Sequence, residues 1–67
     1  MFSEEHRENL KRLSIKDYKD LVGKKVYYSK EIYGIHIVEK WDNDRLEYLL
    51  NLYGQKFWSN PFRIRLI

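Results

Sequence analysis

Two hydrophobic periods run along this chain and meet at Gly23. Before Gly23, Leu10 and Leu13 stand three apart amid Glu, Arg, Asn and Lys, and Ile15, Tyr18, Leu21 and Val22 continue at helical spacing. Ser3 is placed to cap a first helix running to about Leu13. Its first turn carries Glu4 and Glu5 and its last Lys11 and Arg12, the arrangement a helix dipole favours. Ser14 reads as the cap of a second helical stretch, which ends at Gly23 because a residue without Cβ suits the left-handed position after a helix.

Beyond Gly23 the period becomes two. Val26 and Tyr28 alternate with Lys25, Tyr27 and Ser29 in a first strand. Gly34 opens a second, which places Ile35 and Ile37 on the core face, His36, Val38 and Lys40 on the other, and ends at Trp41. Asp42-Asn43-Asp44 is a turn. The next stretch fits both periods: as a helix, Asp44 caps it, Leu46, Leu49, Leu50 and Tyr53 form a stripe, and Gly54 ends it. As a strand, Leu46, Tyr48, Leu50 and Leu52 share one face, and Tyr53-Gly54-Gln55 turns into KFWSNPF. The strand is preferred because a lone hairpin cannot bury a core, whereas a meander of short strands can. Asn60-Pro61-Phe62 breaks the pattern, and residues 63–67 alternate again. These phases predict a core of Val26, Tyr28, Ile35, Ile37, Tyr48, Leu50, Leu52, Phe57, Ile64 and Leu66.

Length and composition limit what such a chain can be. With 67 residues there is room for one core, and at this size a core leaves only about 3 to 5 kcal/mol of stability unless something is added. No cysteine is present, so neither disulfides nor thiolate ligands contribute, which fits a reducing, cytoplasmic setting. No secretory leader is expected from an opening that carries Glu4, Glu5 and Glu8, and no apolar run is long enough to span a membrane. Aromatics at 16% are too abundant for a disordered segment. Alanine and threonine are missing while Lys, Ile, Asn and Tyr abound, a bias that suggests an AT-rich source such as a phage or another mobile element.

The segments LVGKKVYY and YGIHIVEKW, the DND turn, the hairpin YLLNLYGQKFW and the SNPF turn before RIRLI resemble a Src-homology-3-like (SH3-like) small barrel, over residues 21–67. The resemblance implies a mainly β protein with an N-terminal helix. Residues 1–22 would form the helical segment and 23–67 a five-stranded barrel, within one domain. The alternative is an α+β fold, a three-stranded sheet with a second helix at 45–53. The resemblance brings no functional positions with it, and the helical segment is a lid on one barrel end or a decoration.

Catalytic chemistry finds no support in the residues. His6 and His36 are in no metal-ligand or triad spacing, Asp42 and Asp44 belong to a hydrated turn, and the glycines are singletons at element ends. A non-catalytic binding module is therefore expected, with no metal, cofactor or small-molecule substrate. Charge is more informative. Residues 11–30 carry seven bases against Asp17 and Asp20, a local +5 within an overall +3. In an SH3-like barrel the last strand pairs with the first, which would set Arg63 and Arg65 beside Lys25 and Tyr27, facing away from Val26 and Ile64. Lys11, Arg12, Lys16, Lys19, Lys25, Arg63 and Arg65 are thus candidate phosphate contacts, with Tyr27 and Tyr33 as stacking partners. Tyr53, in a turn, is a further exposed tyrosine.

Nucleic acid is the partner favoured on these grounds. The other reading is an adaptor or inhibitor that binds a protein, and a homodimer is compatible with either. The two classes separate on geometry. A shared face for Lys25, Arg63, Arg65 and the bases of residues 11–19 favours nucleic acid. Acids such as Glu39, Asp42, Asp44 and Glu47 joining the exposed tyrosines favour protein.

Overall fold

The computed structural model describes residues 3–29 and 31–67, and the side chains of all of these except 31–33. Ser3 caps α1 (Glu4–Arg12), its hydroxyl accepting the His6 amide at 3.4 Å. Ser14 is not the N-cap of a second helix. It takes φ 55° and closes α1: its amide donates to Lys11 O and that of Ile15 to Leu10 O, both at 3.0 Å, the paired bonds that satisfy orphan carbonyls at a helix end. The next turn starts instead at Asp17, which caps a 3₁₀ helix (Tyr18–Leu21) reciprocally with Asp20. Gly23, at φ 89°, then turns the chain into the sheet.

Five strands follow: β1 (Lys25–Tyr28), β2 (Glu31–Asp42), β3 (Glu47–Leu52), β4 (Gln55–Ser59) and, after a 3₁₀ helix at Pro61–Arg63, β5 (Ile64–Leu66). All neighbours are antiparallel, in the order β4-β3-β2-β1-β5. Residues 45–53 therefore hold a strand, not a helix. The hairpin from β3 to β4 turns on Tyr53 at φ 51° and Gly54 at φ 89°, the double left-handed pair whose twist matches the strands. The fold is thus one helix with a five-stranded antiparallel sheet.

One face of the sheet is covered. Val26, Val38, Tyr48, Leu50 and Ile64 form a single buried cluster with Leu10, Leu13, Tyr18 and Leu21 of the N-terminal segment. The Tyr48 hydroxyl donates to the Tyr18 carbonyl, and the Tyr18 ring lies 4.7 Å from Trp41. A polar chain ties α1 to the far end of the protein. Arg12 donates to Ile64 O at 2.7 Å and Pro61 O at 3.3 Å, and also to Asn9 Oδ1, so Asn9 turns its amide nitrogen to the Tyr18 hydroxyl at 3.0 Å. That hydroxyl also bonds His6 Nδ1 at 2.8 Å. His6 is thus half-buried, and not a freely solvated helix residue.

The predicted core differs from the observed one chiefly in β2. His36 is 2% exposed and Val38 is buried, while Ile35 and Ile37 face outward at 45% and 43%. Two causes combine. Val26 points inward and is paired with His36, carrying that position with it. A bulge at Glu39 lets Val38 oppose Leu50 and Lys40 oppose Leu49, so Val38 and Trp41 both face inward although they differ in parity. Burial of His36 is tolerated because its Nδ1 bonds Gly34 O at 3.2 Å and its ring packs between Tyr28 and Phe57. Leu66 has the inward phase opposite Val26, yet lies at the end of an edge strand and is 43% exposed. Tyr28, Leu52 and Phe57 are half-buried.

Two predictions follow from this packing. Leu50→Ala should cost about 2 to 5 kcal/mol, close to the whole stability of such a domain, whereas Ile37→Thr should stay within about 0.5 kcal/mol; urea unfolding reads both. The second concerns alkali. Burial raises the Tyr48 phenol well above its ordinary range, helped by the neighbouring Tyr18, Asp17 and Asp20. Burial also raises Tyr18, against the Asn9 hydrogen bond and the Arg12 charge. A tyrosine whose folded pKa is raised stabilises fully below the unfolded value of about 10 and loses that contribution as pH rises beyond it. Stability should therefore fall above about pH 10, and ultraviolet titration should show two of the six tyrosines ionising only as the protein unfolds.

Candidate functional site

Positions opposite in register fall on the same side of a sheet, so the pairings list what shares the uncovered outer face. One cross-strand row runs Lys25, Ile37, Asn51, Lys56 over β1, β2, β3 and β4. Beside it Arg65 on β5 lies directly opposite Tyr27 on β1. Another row, Lys40, Leu49, Trp58, leads toward the Asp42 turn. Adjacent members of a row are about 4.7 to 4.9 Å apart across the strands.

Lys25, Ile35, Ile37, Asn51, Tyr53 and Gly54 line a half-open depression of roughly 390 Å³ in this face. Its side-chain amide is already engaged: Asn51 Nδ2 donates to Glu39 Oε1 at 2.7 Å, and its Oδ1 accepts the Gly54 amide at 2.8 Å. Lys56 approaches the same Glu39 oxygen at 3.9 Å, so this acid accepts a hydrogen bond from one neighbour and faces a cation on another. Tyr53, at 89%, is the most open large side chain at the rim. Trp58 is half-buried beneath the Arg45 guanidinium, 4.5 Å from its ring, with Lys40 at 5.6 Å, so its face is already occupied by cations. The Arg45 and Asp44 amides are bonded by the Asp42 carboxylate; the Arg45 bond is the main reason its pKa lies below the ordinary range.

The cations singled out in the sequence divide into two groups. Lys25, Tyr27 and Arg65 share the outer face. Lys11, Arg12, Lys16 and Lys19 belong to the segment that covers the other side of the sheet, where Arg12 reaches the Ile64 carbonyl. Arg12 is committed to Asn9, Ile64 O and Pro61 O. Arg63 is not in the last strand: it ends the 3₁₀ helix at Pro61–Arg63, where its carbonyl accepts the Ser29 amide at 2.6 Å. The Tyr33 side chain lies outside the described residues. Ile35 and Ile37 were assigned to the core, and no local feature marks them as surface residues, since alternation fixes a period and not its phase.

Among the described residues no group of three or more His, Asp and Glu could hold a metal ion, and no helix is long and apolar enough to cross a membrane. No protein-family model matches the chain, and no curated protein or solved structure matches it.

Arg12 and the other helical-segment bases should behave differently when replaced. Arg12→Gln should cost about 1 to 3 kcal/mol through the partners it leaves unpaired, whereas Lys11→Gln, Lys16→Gln and Lys19→Gln should each stay within about 0.5 kcal/mol in thermal unfolding.

Proposed function

We propose that this chain is a non-catalytic binding module of the SH3-like barrel type, and that its outer sheet face receives a protein partner. The strand order, with β5 returning to β1 and a long bulged β2 serving both neighbours, supports the barrel reading. One observation carries the functional reading: two isoleucines stand side by side, 45% and 43% exposed, in the middle of a sheet face bordered by Tyr27 and Tyr53. Keeping such surface in water forgoes about 25 cal/mol for each Å², and apolar patches rimmed by polar groups are the usual marks of interaction sites. Aromatic residues at the edge fit a protein interface as well.

A nucleic-acid reading rests on Tyr27 beside Arg65, with Lys25 two residues away on the same face, a grouping that could stack a base and hold a phosphate. Two features weigh against it. The bases of residues 11–19 are on the covering segment, with Arg12 spent on backbone carbonyls, and Glu39, Asp42 and Glu47 sit within the face. An adaptor or inhibitor acting on another protein is the better account.

Capture from a lysate of the native host should then resist nuclease treatment and be lost in Ile37→Asp, with the variant's circular dichroism unchanged. Filter titrations with DNA and RNA at two salt concentrations decide the other way if they show binding whose log-log salt slope falls by about 0.7 to 0.9 for each of Lys25→Gln and Arg65→Gln.

A further inference from the structure

We infer that the segment docked by this face carries apolar side chains flanked by carboxylates. This rests on the reading of the outer face as a protein-docking surface and adds the chemistry of the occupant. The cross-strand row Lys25–Ile37–Asn51–Lys56 puts Lys25 directly opposite Ile37 and Lys56, which also approaches Glu39, at the other end beyond Asn51, and Arg65 stands on the next row beside Tyr27. Among the described residues no ion pair engages Lys25 or Arg65, whereas Glu39 is held by Asn51 and Lys56, and the other acids of this face, Asp42 and Glu47, stand opposite each other at the far end of β2 and β3, with Asp42 paired to Arg45. The part of the face around Ile35 and Ile37 therefore offers positive charge to a ligand from Lys25 and Arg65, with the remaining acids, Asp42 and Glu47, at the distant end. Among the described residues the Asn51 carboxamide, held by Glu39 and the Gly54 amide, and the Tyr53 phenol at the rim are the neutral polar side-chain groups lining the depression. Selectivity must come from apolar fit at Ile35 and Ile37 and from charge at the border.

A second copy of this chain is a poorer occupant. In a two-fold contact the same patch is presented twice, so the unpaired charges of Lys25 and Arg65 are doubled within one interface, and excess like charge there is costly. An acidic-apolar segment meets no such opposition, and its attraction to the border also speeds encounter.

Selection of a displayed library of random peptides on the full chain tests this, with the Ile35→Asp/Ile37→Asp variant for counter-selection. If the aspartates unfold the chain, Ile35→Thr/Ile37→Thr retains β-branching and takes their place. Enriched peptides should carry Asp or Glu on either side of Ile, Leu, Val or Phe. The Lys25→Glu/Arg65→Glu variant should bind them about tenfold more weakly and should enrich lysine-flanked peptides instead. Enrichment without acids, still dependent on the isoleucines, overturns the acidic occupant and leaves the docking face standing. Enrichment indifferent to the isoleucines, or none at all, overturns both. Sedimentation showing a dimer that Ile37→Asp dissolves would assign the face to a second copy and overturn the inference.

Discussion

A single sheet has two faces, and the N-terminal segment of this chain covers one of them. Everything else in the fold follows from which face that is. The choice is anchored where the Tyr48 hydroxyl reaches the carbonyl of Tyr18, beneath a cluster of Tyr18, Trp41 and Tyr48 rings. Among the described residues, Leu10, Leu13, Tyr18 and Leu21 supply four of the nine buried members of the core cluster. At about 1.5 to 3 kcal/mol for each buried side chain, their joint contribution exceeds the roughly 3 to 5 kcal/mol that a domain of this size has to spare. The sheet is thus stable only with its cover in place, and the two are one cooperative unit.

The cover is held by polar groups as well as by apolar area. Arg12 has only donors, which fixes the orientation of the Asn9 amide, and Asn9 in turn bonds the Tyr18 hydroxyl. The same guanidinium reaches Ile64 O and Pro61 O, so the first helix and the last strand are joined by one side chain. A residue that looks in sequence like part of a basic surface is therefore a clasp. With Arg12 so used, Lys11, Lys16 and Lys19 remain on the cover, while Lys25 and Arg65 lie on the opposite, outer face. That separation weakens a continuous phosphate-binding track and leaves a smaller, mixed face.

Much of this was legible in the sequence where one local rule acted alone. Ser3, Gly23 and the Tyr53-Gly54 turn each follow from capping or left-handed geometry, and the strand period of Tyr48 and Leu50 was readable once the need for a meander was weighed against a local helix. Errors arose where tertiary structure chose between equal local options. The alternation of residues 35–41 is real, but the bulge at Glu39 breaks its parity, and pairing with Val26 sets its phase. Ser14 could cap or close a helix, and Asp17 with Asp20 three residues later made the stronger cap. In the candidate site the pairing of Tyr27 with Arg65 was visible through the barrel resemblance, whereas the isoleucines were hidden by the same phase error that buried them on paper.

The cations around Ile35 and Ile37 have a second consequence. An exposed apolar sheet face next to short edge strands invites association with other copies, and charged residues at such borders are the usual defence. Here β5 is only three residues long and carries Arg65, and β4 carries Lys56. Groups that repel another copy of this chain are the same groups that would attract a carboxylate-bearing segment. On the proposed reading, recognition and resistance to self-association make one demand on Lys25, Lys56 and Arg65: the charge that would select a partner is the charge that would keep the uncovered face from a second copy.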